Sequence, residues 1–269
     1  MFRLSNLVLN PKNAKRHPIE MMFVGIFYTS ISIFLGHWVF PEYSSIVMIF
    51  LTVISCMYVV QGAIILEEKK ERGLNPEKKL MKQHIRTLNF LIFLFIGFLL
   101  AFTFWTIVLP EDISKEIFSF QEQAIQDIRS LTGKSISPEN PFYLIMENNL
   151  RVLFFTIIFS IFYGAGAIFI LVWNASILGF VMGSIAKYSL SLAHLPVIFL
   201  KYLSHGIPEM LAYFVAALAG GIIFVSILKG DFNGEKTKKI LLDTGLLIII
   251  SICLLILAAI IEVYLSANI

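Results

Sequence analysis

The chain has 269 residues, of which 58% are apolar and 14% charged, and its formal net charge is +3. Soluble domains carry about a quarter charged residues, so this composition, with its mean hydropathy of +0.83, excludes a soluble domain, a disordered chain and a collagen-like one. The balance points to an all-α protein dissolved in the lipid bilayer, and so small a net charge gives no reason to expect nucleic acid as a partner.

A helix needs about 20 apolar residues to cross ~30 Å of hydrocarbon. The first eighteen residues are mixed and polar, and no cleavage site follows the first apolar run, which is therefore read as a retained helix. Met21 to Pro41 carries no formal charge and predicts the first span; Tyr43 to Leu66 predicts the second. Residues 67–86 form a charge-dense hairpin whose turn is marked by Gly73 and Pro76. Thr87 to Pro110 predicts the third span. In the acidic stretch 111–147, Ile113, Ile117, Phe118, Phe120, Ala124, Ile125, Ile128 and Leu131 recur at helical spacing. This pattern predicts an amphipathic helix that lies in the outer interface or caps the bundle, as a packed connector or as a lid or partner-docking surface.

Val152 to Ala186 is uncharged throughout and too long for one helix. We place the fourth span at about Val152 to Trp173. Met210 to Leu228 and Thr244 to Ile261 complete six clear spans. None of these runs alternates as a β-barrel strand would. Cys56 and Cys253, the only cysteines, lie inside apolar runs and read as small buried hydrophobes.

Fifteen of the 21 basic residues fall in the N-terminus (Arg3, Lys12, Lys15, Arg16), in 67–86 and in the Lys229–Lys239 stretch. The positive-inside rule then predicts a multi-pass protein of the cell membrane with a cytoplasmic N-terminus and an external 111–147 loop. For Lys229–Lys239 also to be cytoplasmic, the chain must cross once more between about 174 and 205. That stretch contains Gly179, Gly183, Lys187, His194, Pro196 and Lys201. We read it as a broken crossing of two short helices; a re-entrant hairpin is the alternative.

Ionisable groups in a membrane segment are expensive enough to mark function. A polar cluster for binding or for organising the bundle is assigned to Asn149, Asn174, Lys187, His205 and Glu209, and Glu262 adds a carboxylate in the last helix. In the sequence SHGIPE, Gly206 can end one helix and Pro208 can start another, which leaves Glu209 in a favourable first turn. In one continuous helix, His205 and Glu209 instead share a face, where they could pair, relay a proton or share a cation. Small residues mark close helix packing: Gly164 and Gly166, the G-x-x-x-G of Gly179 and Gly183, Gly206, and the stripe of Ala212, Ala216 and Gly220. The same faces would serve a homo-oligomer. H-E-x-x-H, G-x-S-x-G and nucleotide-loop patterns do not occur. No metal, no cofactor and no enzymatic activity is expected.

The order N-N-x-R (Asn148 to Arg151), Y-G-A-G-A around Gly164 and Gly166, W-N-A-S-I-L-G-F-V-M-G from Trp173 and H-G-I-P-E-M-L-A-Y-F-V-A-A-L-A-G-G from His205 resembles the stage II sporulation protein M family. The resemblance covers about residues 148–230, and Asn149, Asn174, Gly179, His205, Gly206 and Glu209 match its pattern. It implies a membrane scaffold: bacterial members act in engulfment with peptidoglycan-degrading partners, and similar proteins occur in organisms that do not sporulate. Relative to the shortest members, this chain has two extra N-terminal spans and a sizeable external loop. The expected function is a non-enzymatic scaffold in an envelope- or membrane-remodelling complex, with membrane or envelope proteins as partners. A transporter or channel whose polar path follows the broken crossing and His205/Glu209 is the alternative. All 269 residues are expected to form one integral membrane domain.

Overall fold

The computed structural model describes residues 17–71, 76–134, 141–163, 167–188, 195–228, 230 and 234–268. Nine α-helices cover them: α1 (Pro18–Val39), α2 (Ser44–Glu71), α3 (Pro76–Val108), α4 (Glu111–Ile117), α5 (Ser119–Lys134), α6 (Pro141–Tyr163), α7 (Ala167–Tyr188), α8 (Leu195–Leu228) and α9 (Gly234–Asn268). A 3-10 turn, Pro41–Tyr43, links α1 to α2. Among the described residues, seven helices (all but α4 and α5) are long and apolar enough to cross a membrane. The protein is an all-α polytopic bundle.

The second half of the chain is divided differently from the expected division. The long uncharged run is shared between α6, which extends to Tyr163, and α7, which extends from Ala167, and Asn174 is no boundary. Asn174 lies inside α7, where its Nδ2 donates to the Ile170 carbonyl one turn back (2.8 Å). Its polarity is satisfied locally, so the helix continues. At the other end, α6 begins before Val152 because the charges that mark its edge, Glu147 and Arg151, pair with each other on its exposed surface (3.0 Å). The crossing expected to be broken is therefore the complete helix α7, and α8 holds the span expected at Met210–Leu228. α8 runs unbroken through Gly206 and Pro208, which places Glu209 in a helix interior and on the face of His205. Gly164, Gly166, Gly73 and His194 lie outside the described residues, as does the side chain of Lys201.

Three helices run in the same direction and pack through glycines. A Cβ on Gly25 of α1 would stand 2.7 Å from the Leu94 carbonyl oxygen of α3, and Gly97 faces Met22 in return. Further along the pair, Trp105 Nε1 donates to Ser30 Oγ (2.9 Å), and its ring meets Phe34 edge-on. On α7, a Cβ on Gly179 would stand 2.6 Å from Phe102 Cβ, and one on Gly183 would stand 2.6 Å from Thr106 Cβ. Backbone approach of this kind is what holds helices together in lipid, where apolar area alone gives no preference for protein over acyl chain. On the far side of α8, Gly220 meets α6 at Ser160, whose Oγ donates to the Ala217 carbonyl (2.8 Å). Gly206 has open space where a Cβ would stand, so it makes no close crossing of this kind. Cys56 is buried, whereas Cys253 is exposed on α9 because that position faces away from α8.

α4 and α5 close one end of the bundle. Ile117 and Phe118 are buried, and Phe118 stacks on Phe180 of α7. Gln121, fully buried, accepts from Ser45 Oγ of α2 (2.6 Å) and donates to Ser176 Oγ of α7 (3.0 Å). The acidic stretch thus plugs into the bundle as a cap. Its exposed face carries the Glu111–Lys115 pair (2.6 Å), which holds the Glu111 carboxyl below the usual carboxylate range and the Lys115 ammonium above the usual lysine range.

Candidate functional site

The polar residues of the second half occupy three places. The first is the end of α7 at the cap. Lys187 Nζ donates to the carbonyl oxygens of Leu109 (2.5 Å) and Thr106 (3.4 Å). The last carbonyls of a helix lack partners within it, and a cation there also complements the helix dipole. Lys187 therefore finishes α3 from another helix. The second place is the middle of α7, where Asn174 is tied to its own backbone.

The third place brings several groups together. Tyr213, fully buried, donates from its hydroxyl to Glu209 Oε1 (2.9 Å). The pair is four residues apart on α8, so helical periodicity places both on one face with His205 a further turn away. α9 packs along α8, and its Glu262 interacts electrostatically with both His205 and Glu209. Two carboxylates, an imidazole and a phenol thus share the α8–α9 seam. The sequence reading noted Glu262 but left it out of the cluster, and it passed over Tyr213. The i,i+4 spacing of Glu209 and Tyr213 was the available signal.

Asn149 belongs to the same level of the membrane. α6 leaves the cap end after α5, and α8 leaves it after α7, so the two helices run in the same direction. Ser160 and Ala217 fix their register. At 1.5 Å per residue, Asn149 lies about 16 Å from that tie towards the cap, and Glu209 and His205 lie about 12 and 18 Å from it. Asn149 is buried and its Nδ2 has no hydrogen-bond partner. His205 and Glu209 lie 10 and 14 residues from the start of α8, in the half of the helix that leaves the cap end. Among the described residues, no three His, Cys, Asp or Glu side chains are grouped so as to hold a metal ion.

Residues 87–267, about two thirds of the chain, match the sequence model of the family described as Stage II sporulation protein M. An uncharacterized protein of Methanocaldococcus jannaschii is 32% identical over 160 residues, which is 56% of this chain and 88% of the relative. No solved structure matches. The matched region begins in α3 and includes the cap, the glycine crossing of α3 with α7 and the whole α8–α9 seam; α1 and α2 precede it.

Proposed function

The chain belongs to the stage II sporulation protein M family, and on that premise we propose that it is a non-enzymatic scaffold of an envelope- or membrane-remodelling complex. It would act in the cell membrane with its N-terminus in the cytoplasm and the α4–α5 cap outside, where membrane or envelope proteins dock.

The observation that carries this reading is the way α8 is used. Its span is 72% buried inside the protein, with Glu209 held by Tyr213 and Ser226 by the Ile222 carbonyl. A deeply buried central helix tied at these points suits a framework. Transport sites, in contrast, tend to lie at the midplane where helices break, and α8 is continuous there. The bond from Tyr213 to Glu209 favours a role for these groups in ordering the α8–α9 seam.

A second reading rests on a specific observation. Two carboxylates and a histidine in one lipid-embedded seam, level with the unpartnered amide of Asn149, are the kind of groups that pass protons or cations. Glu209→Gln in reconstituted vesicles separates the two readings. The scaffold reading expects unchanged ion or proton flux with a lowered unfolding midpoint, and an abolished flux with intact stability would replace it by transport. Affinity capture of the full chain from crosslinked membranes is expected to retain envelope proteins, and retention of none would count against the scaffold.

A further inference from the structure

A cleft of about 220 Å³ opens where α3 and α7 end beneath the cap. Its floor is Thr106, Ser184 and Lys187, and its roof is Ser114 and Lys115 of α4 and Glu122 of α5. Phe180, Val181, Ile185 and Ile125 form an apolar wall. Thr106 lies within the span Ile85–Val108, and Ser184 and Lys187 lie within Ile168–Tyr188, each in its last turn. The roof helices lie outside every span. The cleft is therefore at the depth where acyl chains give way to headgroups.

Its charges balance. Lys115 and Glu111 satisfy each other across 2.6 Å. Lys187 bonds carbonyls and, among the described residues, lies in no ion pair with a carboxylate, and its positive charge reaches Glu111 across the cleft. Among the described residues, Glu122 makes no ion pair, and it adds one negative charge to the same cleft. Sites for drug-sized ligands run to 300–1,000 Å³; this one is smaller, with room for a headgroup while any chain lies along the apolar wall. We propose that the cleft binds the phosphate–ammonium headgroup of a zwitterionic membrane lipid. Lys187 and the hydroxyls of Ser184 and Ser114 face its phosphate, and Glu122 faces its ammonium. Nothing in this assignment depends on the scaffold reading.

The test uses the full chain in nanodiscs of matched acyl length, made with phosphatidylethanolamine or with phosphatidylglycerol, released into the gas phase and scored for retained lipid. The free chain in detergent is titrated in parallel with dihexanoyl phosphatidylethanolamine, dihexanoyl phosphatidylglycerol, free phosphoethanolamine and inorganic phosphate, with the unfolding midpoint as readout. The wild type is expected to prefer the ethanolamine lipid by about tenfold, the scale of one charge-assisted hydrogen bond. Glu122→Gln, on the half-exposed face of α5, is expected to abolish that preference while leaving the lipid-free midpoint unchanged. Equal binding of the two lipids by the wild type, or a preference that survives Glu122→Gln, overturns the proposal. Phosphoethanolamine or phosphate matching the lipid in affinity overturns the lipid assignment in favour of a soluble phosphate ligand.

Discussion

α8 and α9 lie against each other, and the span Ile240–Tyr264 of α9 is more apolar than the span Ser204–Leu228 of α8. Yet 72% of the α8 span is buried inside the protein, against 22% of the α9 span. In water, the more apolar helix would be the one driven inside. In lipid, hydrocarbon surrounds both, and the choice falls to what packs more closely and what needs a polar partner. α8 presents Ala212, Ala216, Gly220, Tyr213 and Glu209, so backbones approach it and its polar groups find partners. α9 presents Leu246, Ile249, Leu257 and Ile260 outward, each about half exposed, and acyl chains meet these as well as protein would. Burial within this bundle follows side-chain size and polarity more closely than hydrophobicity.

Substitutions on the two helices can break that contrast. Gly220→Leu forces a side chain into a space where a Cβ would already stand 2.5 Å from Ser160 Cβ. It is expected to cost about 3 kcal/mol, measured as the unfolding midpoint in a denaturing-detergent titration. Leu257→Ala on the lipid-facing side of α9 removes three carbons but is expected to stay within ~0.5 kcal/mol; a comparable loss at the two positions would refute the contrast. Tyr213→Phe keeps the shape and removes the donor to Glu209. It is expected to cost about 1 kcal/mol, the scale of one hydrogen bond within a membrane bundle, and a second substitution, Glu209→Gln, should then add little.

The smallest effect belongs to the cap surface. Glu111 is held low by Lys115, so the stability it lends is present above the ordinary glutamate range near ~4.3 and fades as pH falls through its lowered value. Lys115, held high, lends stability below the ordinary lysine value of ~10.4 and loses it as pH rises through the raised one. Lys115→Gln is expected to leave the neutral-pH midpoint unresolved from wild type while the Glu111 titration, followed by NMR, moves up to the ordinary range. An unmoved titration would dissociate the pair.

The spans themselves are legible because uncharged runs of this length admit few other structures. Their boundaries in the second half are less so. An asparagine reads as an interruption when counted by residue type, but Asn174 bonds the carbonyl of Ile170, an option that depends on helix geometry and not on polarity. Pro208 likewise reads as a terminus, yet it lies inside α8. Gly179 and Gly183 stand out by their spacing, whereas Gly25 and Gly97 are single glycines on different helices whose meeting is visible only in three dimensions. At the polar seam, His205 and Glu209 are readable within one short motif. Glu262 lies more than fifty residues away, and only the packing of α9 on α8 brings its charge to them.

The tie from Lys187 to the end of α3 has a consequence for how the chain is made. Thr106 and Leu109 precede Lys187 by 81 and 78 residues, and at 5–20 residues per second a ribosome takes about 4–16 s to add that many. Until then the last carbonyls of α3 lack this cation, and Gln121 has Ser45 as a partner but not the still unmade Ser176. The capped end is therefore sealed late, by a helix synthesised after the cap, and the nascent bundle presents it half-latched until α7 emerges.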